Sequence, residues 1–122
     1  CTKQEPCKLY TFFILWEFEL KSKGQQFQLN IPIKVFRNHI HHAQKGGGQI
    51  LLCTAGEGWY QEAGKGAVSL TPGTVIVIPP EIKHWHGAKR DAWFSHIAIE
   101  VPGEGCSNEW CEPVTDEEYA GL

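Results

Sequence analysis

Residues 73–84 read GTVIVIPPEIKH, and this stretch decides how the rest of the chain is interpreted. A run of β-branched residues follows Pro72-Gly73 and ends at Pro79-Pro80, which is typical of a short buried strand between two turns. Proline fixes its own φ and donates no backbone hydrogen bond, so the strand must end there. His84 is therefore predicted to lie at the start of the next strand.

Glycine and proline divide the rest of the chain in the same way, for example at Gly46-Gly47-Gly48 and Pro102-Gly103. Short strands at regular spacing, separated by such turns, favour a sandwich or a barrel, and therefore an all-β fold. The strands are predicted near Leu9–Leu20, Gln25–Asn30, Ile33–Arg37, Gln49–Ala55, Gly58–Glu62, Ala67–Leu70, Thr74–Ile78, His84–His86 and Ala92–Val101.

One short helix is predicted near the end of the chain. Thr115 is a good N-cap residue, and three acidic residues, 116–118, would fill the first turn, where they interact favourably with the helix dipole. Tyr119 is expected to pack back on the barrel.

Several predicted strands are apolar on both faces. In Gln49–Ala55, Leu51 and Cys53 alternate with Ile50 and Leu52. A half-solvated strand would carry polar residues at alternate positions, so both faces are expected to be covered. In so small a fold the second cover can be a partner subunit, and we predict a homodimer.

The overall composition predicts one ordinary globular domain over residues 1–122. A net charge of −3 with scattered Lys and Arg gives no reason to expect a nucleic-acid partner. The longest apolar stretch, Tyr10 to Trp16, is too short to span a bilayer, and the residues before it lack the pattern of a leader, so we expect neither a secretion signal nor an anchor. The five cysteines are odd in number and form no CxxC pair. We therefore expect a cytoplasmic protein. Its expected partner is a small molecule, and no membrane partner is expected.

The histidines fall into two clusters, His39/His41/His42 and His84/His86/His96. Residues two apart on a strand point to the same side, so two His-x-His pairs could converge inside a barrel. Neutral imidazole is the commonest metal ligand. A metal site and a set of surface or hydrogen-bonded core histidines both remain open from spacing alone.

From about Gly46 onward the chain resembles the cupin superfamily, in particular small single-domain cupins related to bacterial hydroxynitrile lyases. The second cupin motif has Gly, five residues, Pro-x-Gly, two residues and His. Residues 73–84 follow it, with Glu81 where Gly is usual. Gln49, six residues and Gly56 match the second half of the first motif. Residues 83–88, His96 and residues 113–119 resemble the lyase-related subfamily, whereas residues 1–45 match poorly.

The resemblance implies a jelly-roll β-barrel that binds a divalent transition metal, which could be Mn, Fe, Ni, Co or Zn. Its ligands would be His84, Gln49, His41 and His39. Seven residues separate His41 from Gln49, more than the family usually has. Either residues 43–48 bulge as an inserted loop, or the sequence before the glycine run is not what the fold expects. Three imidazoles and a neutral amide would leave the ion its full charge and make it a strong Lewis acid.

Catalytic roles are predicted for His96 and His86. On the strand Ala92–Val101, His96 shares a face with Phe94 and Ala98, which would hold it in a partly dry cavity as a neutral base. His86 shares a side with His84, but the chain is expected to turn at Gly87-Ala88 and leave His86 near the cavity rim.

Three functions remain open on this basis. The resemblance implies a metal-dependent enzyme that acts on a small organic molecule, with cyanohydrin cleavage as the closest chemistry. A metal-dependent dioxygenase and a non-catalytic domain that binds a small ligand are the alternatives, because the same fold serves many functions.

Overall fold

The computed structural model describes residues 2–4, 12–17 and 36–122. Its strands are β1 (Thr2–Gln4), β2 (Phe12–Glu17), β3 (Arg37–His42), β4 (Lys45–Gly46), β5 (Gln49–Gly56), β6 (Gly58–Glu62), β7 (Val68–Leu70), β8 (Val75–Ile78), β9 (His84–Ala88), β10 (Phe94–Glu100), β11 (Gly103–Glu104) and β12 (Ser107–Pro113), and one helix follows, α1 (Asp116–Ala120). The strand predicted at Gln25–Asn30 and most of that at Ile33–Arg37 lie outside the described residues.

The strands form two main sheets, and every pairing within them is antiparallel. One sheet has the order β1-β12-β3-β9-β6-β7 and the other the order β2-β10-β5-β8. Side chains from both sheets meet in one buried core: Leu51, Cys53, Tyr60, Leu70, Ile78, Ala88, Phe94 and Ala98. Two antiparallel sheets around a shared core, with one short C-terminal helix, confirm the predicted all-β, jelly-roll fold.

Strand β3 extends through the histidines, beyond the predicted end of a strand at Arg37. Strand β12 was not predicted at all. The sequence of β3 is RNHIHH and that of β12 is SNEWCEP, so neither has the run of β-branched residues that identifies a strand. They form because they pair with each other, and β3 also pairs with β9.

The connection between β3 and β5 is a compact turn built on three consecutive glycines. Gly46, Gly47 and Gly48 all have positive φ, which other residues rarely adopt. A Cβ atom on Gly48 would lie 2.3 Å from the backbone oxygen of Ile78. Within the turn, β4 pairs with β11. The turn therefore folds back on residues 103–104 and leaves Gln49 at the start of β5.

The C-terminal helix follows the prediction closely. Thr115 is the N-cap, and it forms a capping box with Glu118, with each side chain bonded to the backbone of the other residue. Tyr119 packs against Phe36 and donates a hydrogen bond from its hydroxyl to the backbone oxygen of Ala88. No helix in the described part of the chain is long and apolar enough to cross a membrane.

The outer face of the four-stranded sheet carries apolar side chains that the described residues leave partly uncovered. Val75 and Val77 on β8 are 54% and 68% exposed, and they lie directly opposite Leu52 and Ile50 on β5. We call these four residues the apolar face. The prediction that both faces of such strands are covered is not met by the described residues alone, because Val75 and Val77 are exposed. A cover from a second copy remains a prediction.

Candidate metal centre

Three histidines from two neighbouring strands face each other inside the barrel. His39 and His41 are on β3 and His84 begins β9, where it is the direct cross-strand partner of His39. All three are buried, and one ring nitrogen of each lies within 4.8 Å of those of the other two. The ring centres of His39 and His84 are 4.2 Å apart. This arrangement positions three imidazoles to bind a metal ion.

Hydrogen bonds fix which nitrogen of each ring is available. The Nδ1 atoms of His39 and His84 lie 3.2 and 2.9 Å from the backbone oxygens of Arg37 and Ile82. A carbonyl oxygen only accepts, so both Nδ1 atoms donate and both Nε2 atoms keep a lone pair. The Nε2 atoms of His41 and His84 are buried and have no hydrogen-bond partner among the described residues. Buried lone pairs that nothing else satisfies fit a metal ion.

Gln49, the residue predicted as a further ligand, begins β5. Its side chain is buried, and its Nε2 donates to Oε1 of Glu100 at 3.0 Å. Its Oε1 is buried without a hydrogen-bond partner within the described chain. A free amide oxygen is a hard, neutral donor that suits first-row divalent ions.

Burial keeps the imidazoles of His39 and His84 neutral. Desolvation, followed by the charge of His84, lowers the pKa of His39 to about 3. Desolvation likewise lowers the pKa of His84 to about 4, although its bond to the Ile82 carbonyl works in the opposite direction. Only a neutral imidazole binds a metal, so His39 and His84 are both in their binding form at neutral pH.

A second pair of imidazoles, those of His86 and His96, lies next to this group. The ring centres of His86 and His96 are 4.7 Å apart, and that of His86 is 5.5 Å from His39. Phe94 stacks on His96 at 4.7 Å, and Ala98 is also buried. Desolvation, and then the neighbouring His96, hold the pKa of His86 well below its usual value.

The expected turn after His86 is wrong. Strand β9 continues to Ala88, because Gly87 and Ala88 pair with Trp59 and Gly58 of β6. His86 is only partly exposed and lies beside His96. The structure thus brings His39, His41 and His84 into one group, with His86 and His96 next to it. The ligand and catalytic roles of these residues remain predictions.

Two further polar residues at the site were not identified from the sequence. Glu100 contacts Gln49 and also His41, whose Nδ1 lies 3.0 Å from its Oε2. Asn108 on β12 accepts from the same Nδ1 at 2.8 Å. A signal for Glu100 existed, since it is four residues after His96 and so faces the same side of β10. Asn108 gave no such signal, because β12 was not predicted.

Comparisons with known proteins find a matching family and two relatives. Residues 31–104 match the model of a family described as the AraC-like ligand binding domain. An (R)-mandelonitrile lyase from Granulicella tundricola is 43% identical over 72 residues, which are 59% of this chain and 55% of the lyase. A crystal structure of a cupin-like protein from Thermotoga maritima is 42% identical, with a TM-score of 0.58, over 70% of this chain and 62% of that chain. This chain therefore spans less than two thirds of the length of either relative.

Proposed function

The chain belongs to the family of AraC-like ligand-binding domains, as its resemblance to cupins predicted, and from this we propose that it is a metal-dependent enzyme acting on a small organic molecule. The observation that carries the proposal is that His39, His41 and His84 form one buried group, and that Nε2 of His41 and of His84 has no hydrogen-bond partner among the described residues. Unpaired buried polar atoms are costly, and such a set persists where a ligand satisfies it.

The ligands we propose are His39, His41, His84 and Gln49. A divalent transition ion, when bound, supplies Lewis acidity that stabilises negative charge on a substrate oxygen. The donor set is uncharged in its binding form and suits Mn, Fe, Ni, Co and Zn alike.

We propose that the reaction is of the hydroxynitrile-lyase type. A relative that shares 43% identity over 72 residues is named (R)-mandelonitrile lyase. His96 would take the proton from the hydroxyl oxygen of a cyanohydrin. As the carbonyl forms, the bond to the nitrile carbon breaks, and its electron pair leaves with cyanide. His96 then returns the proton to cyanide, so that an aldehyde and hydrogen cyanide are released.

The surroundings of His96 support its role as the base. The ring of Phe94 covers one of its faces, with 14° between the two planes, and His86 lies edge-on at 4.7 Å. Stacking and burial restrict the ring to one orientation, which general acid-base catalysis requires. His86 lies between His96 and the ligand group, where it can hold the substrate oxygen by a hydrogen bond.

The proposal is tested on protein purified without chelator. We expect about one metal per chain by elemental analysis, and release of benzaldehyde from mandelonitrile, followed by its absorbance. Dialysis against a chelator should abolish this release, and added metal should restore it. Full metal occupancy without cleavage of mandelonitrile or of an aliphatic cyanohydrin would contradict the lyase. Oxygen uptake by the iron-loaded protein would assign it to the dioxygenases instead.

A second candidate is a non-catalytic domain that binds a small ligand. The description of the matching family as a ligand-binding domain favours it. Calorimetry separates the two functions, because a binding domain would take up a small hydroxylated or carbonyl compound and leave it chemically unchanged.

A further inference from the structure

We propose that Glu100 is a positioning residue, which orients two of the predicted metal ligands, Gln49 and His41. This inference rests on the proposed metal-dependent function. Glu100 ends β10 and is the direct cross-strand partner of Gln49. Its side chain is 18% exposed, so most of the carboxylate lies inside the barrel.

The carboxylate of Glu100 joins the two ligands through its two oxygens. Its Oε1 accepts from Nε2 of Gln49, and its Oε2 lies 3.0 Å from Nδ1 of His41. The same Nδ1 also has the side-chain oxygen of Asn108 at 2.8 Å. Ligands from strands of two different sheets are thereby tied to a single acidic group.

The contact with Glu100 decides which end of the Gln49 amide faces the site. An ionised carboxylate accepts hydrogen bonds and donates none, so Gln49 must turn its amino group toward it. The amide oxygen is then directed away from Glu100, where it is buried without a hydrogen-bond partner among the described residues. A flipped amide would bring two acceptors together and present an amino group, which cannot bind a metal.

Glu100 acts on His41 through its charge. Nδ1 of His41 is hydrogen-bonded to Asn108, and Oε2 of Glu100 lies 3.0 Å from the same atom. A carboxylate beside Nδ1 favours the proton on that nitrogen and leaves the lone pair on Nε2. It also places a negative charge next to a neutral set of ligands, and that charge attracts a cation without occupying a coordination position. Both effects favour metal binding, while the ligand set itself remains uncharged.

The proposal is tested by measuring the affinity for Mn²⁺ of variants in which the side chains of Gln49 and Glu100 are changed, singly and together. In Glu100→Gln the new amide has one accepting oxygen for two donors, so its amino group must face either Gln49 or His41. We expect affinity to fall roughly 10–100-fold, the usual effect of losing such a partner. Glu104→Gln is the matched control, because this residue is 73% exposed, undergoes the same charge change, and has its carboxylate 3.9 Å from Nζ of Lys45. It should bind Mn²⁺ as the wild type does.

The double variant Gln49→Glu/Glu100→Gln should recover most of the lost affinity. The new amide would donate to the carboxylate at position 49 and accept from Nδ1 of His41, while the second carboxylate oxygen faces the site. With Gln49→Glu alone measured as well, the four proteins form a double-mutant cycle. A favourable coupling between positions 49 and 100 is expected, and additive effects would overturn the role of Glu100.

A measurement on the metal-free wild type does not depend on how the variants fold. NMR should show the side-chain amide protons of Gln49 as a well-separated pair that exchanges slowly with water. Rapid exchange would overturn the proposal. A wild type that takes up no Mn²⁺ would refute the proposed metal-dependent function, whereas additivity in a wild type that binds Mn²⁺ would refute only the role of Glu100.

Discussion

At the scale of single residues, the site is defined by how each imidazole is held. His39 and His84 both donate from Nδ1 to the carbonyl of the residue two positions earlier, Arg37 and Ile82. Such a bond requires only the local conformation of the strand. It orients the ring and selects its tautomer before any metal arrives, which reduces the cost of ordering the ligand on binding.

His84 is predicted to be the least replaceable ligand. Its side chain is fully buried and belongs to the group with His39 and His41. In His84→Ala, metal content should fall well below one per chain in elemental analysis. His42→Ala is the control, because His42 binds the carboxylates of Glu81 and Glu109 instead and should leave the metal content unchanged. Full occupancy in His84→Ala would rule out His84 as a ligand.

His96→Ala is predicted to separate metal binding from turnover. The variant keeps all four proposed ligands and loses only the proposed base. Metal content should stay near one per chain, while kcat on mandelonitrile falls by a factor of roughly 10²–10⁴, the usual contribution of general acid-base catalysis. If kcat were unchanged, the proton would have to be moved by another group.

At the scale of elements, the turn between β3 and β5 determines whether Gln49 can reach the histidines. Its glycines adopt positive φ, and Gly48 packs directly against the backbone between β8 and β9. The turn therefore absorbs the longer connection between His41 and Gln49, and both residues remain inside the barrel.

Gly48→Ala is predicted to destabilise the protein strongly. A Cβ there would meet the Ile78 oxygen at 2.3 Å, in addition to the strain of φ +95°. Gly64→Ala is matched to it, because Gly64 also has positive φ, at +76°, but has open space around it. Chemical denaturation should show a loss of about 1–2 kcal/mol for Gly64→Ala, from backbone strain alone. Gly48→Ala should lose clearly more, and equal losses would contradict this packing.

The elements also show what the sequence could predict and why. The strands between glycine and proline turns, the Thr115 cap and the spacing from Gly73 to His84 are local features, so the sequence contains them. Strands β3 and β12 are polar and form through pairing with distant partners. For the same reason the contacts of Glu100 and Asn108 could not be predicted, because they depend on which strands become neighbours.

At the scale of the whole molecule, the apolar face is a feature that the described residues leave partly uncovered. Its four side chains, Ile50, Leu52, Val75 and Val77, are all aliphatic and form two directly opposed pairs. A contiguous apolar surface on an outer sheet is typical of an interaction site. It supports the predicted homodimer, with a second copy packed on this sheet.

Val77→Lys is predicted to weaken that dimer. A charge at the most exposed position of the apolar face would have to be desolvated in the interface. Light scattering at micromolar concentration should give a dimer for the wild type and a smaller mass for the variant. Val68→Lys changes a valine that is 44% exposed on β7 of the other sheet, and it should remain dimeric. A monomeric wild type would contradict the prediction.

The most direct test of the account is X-ray absorption at the zinc edge of protein loaded with one Zn²⁺ per chain. The proposed centre predicts a first shell of nitrogen and oxygen at about 2.0–2.2 Å. The outer-shell scattering should correspond to three imidazole rings, for His39, His41 and His84. A sulfur shell, or scattering from fewer than two imidazoles, would show that the metal binds elsewhere and would contradict the account.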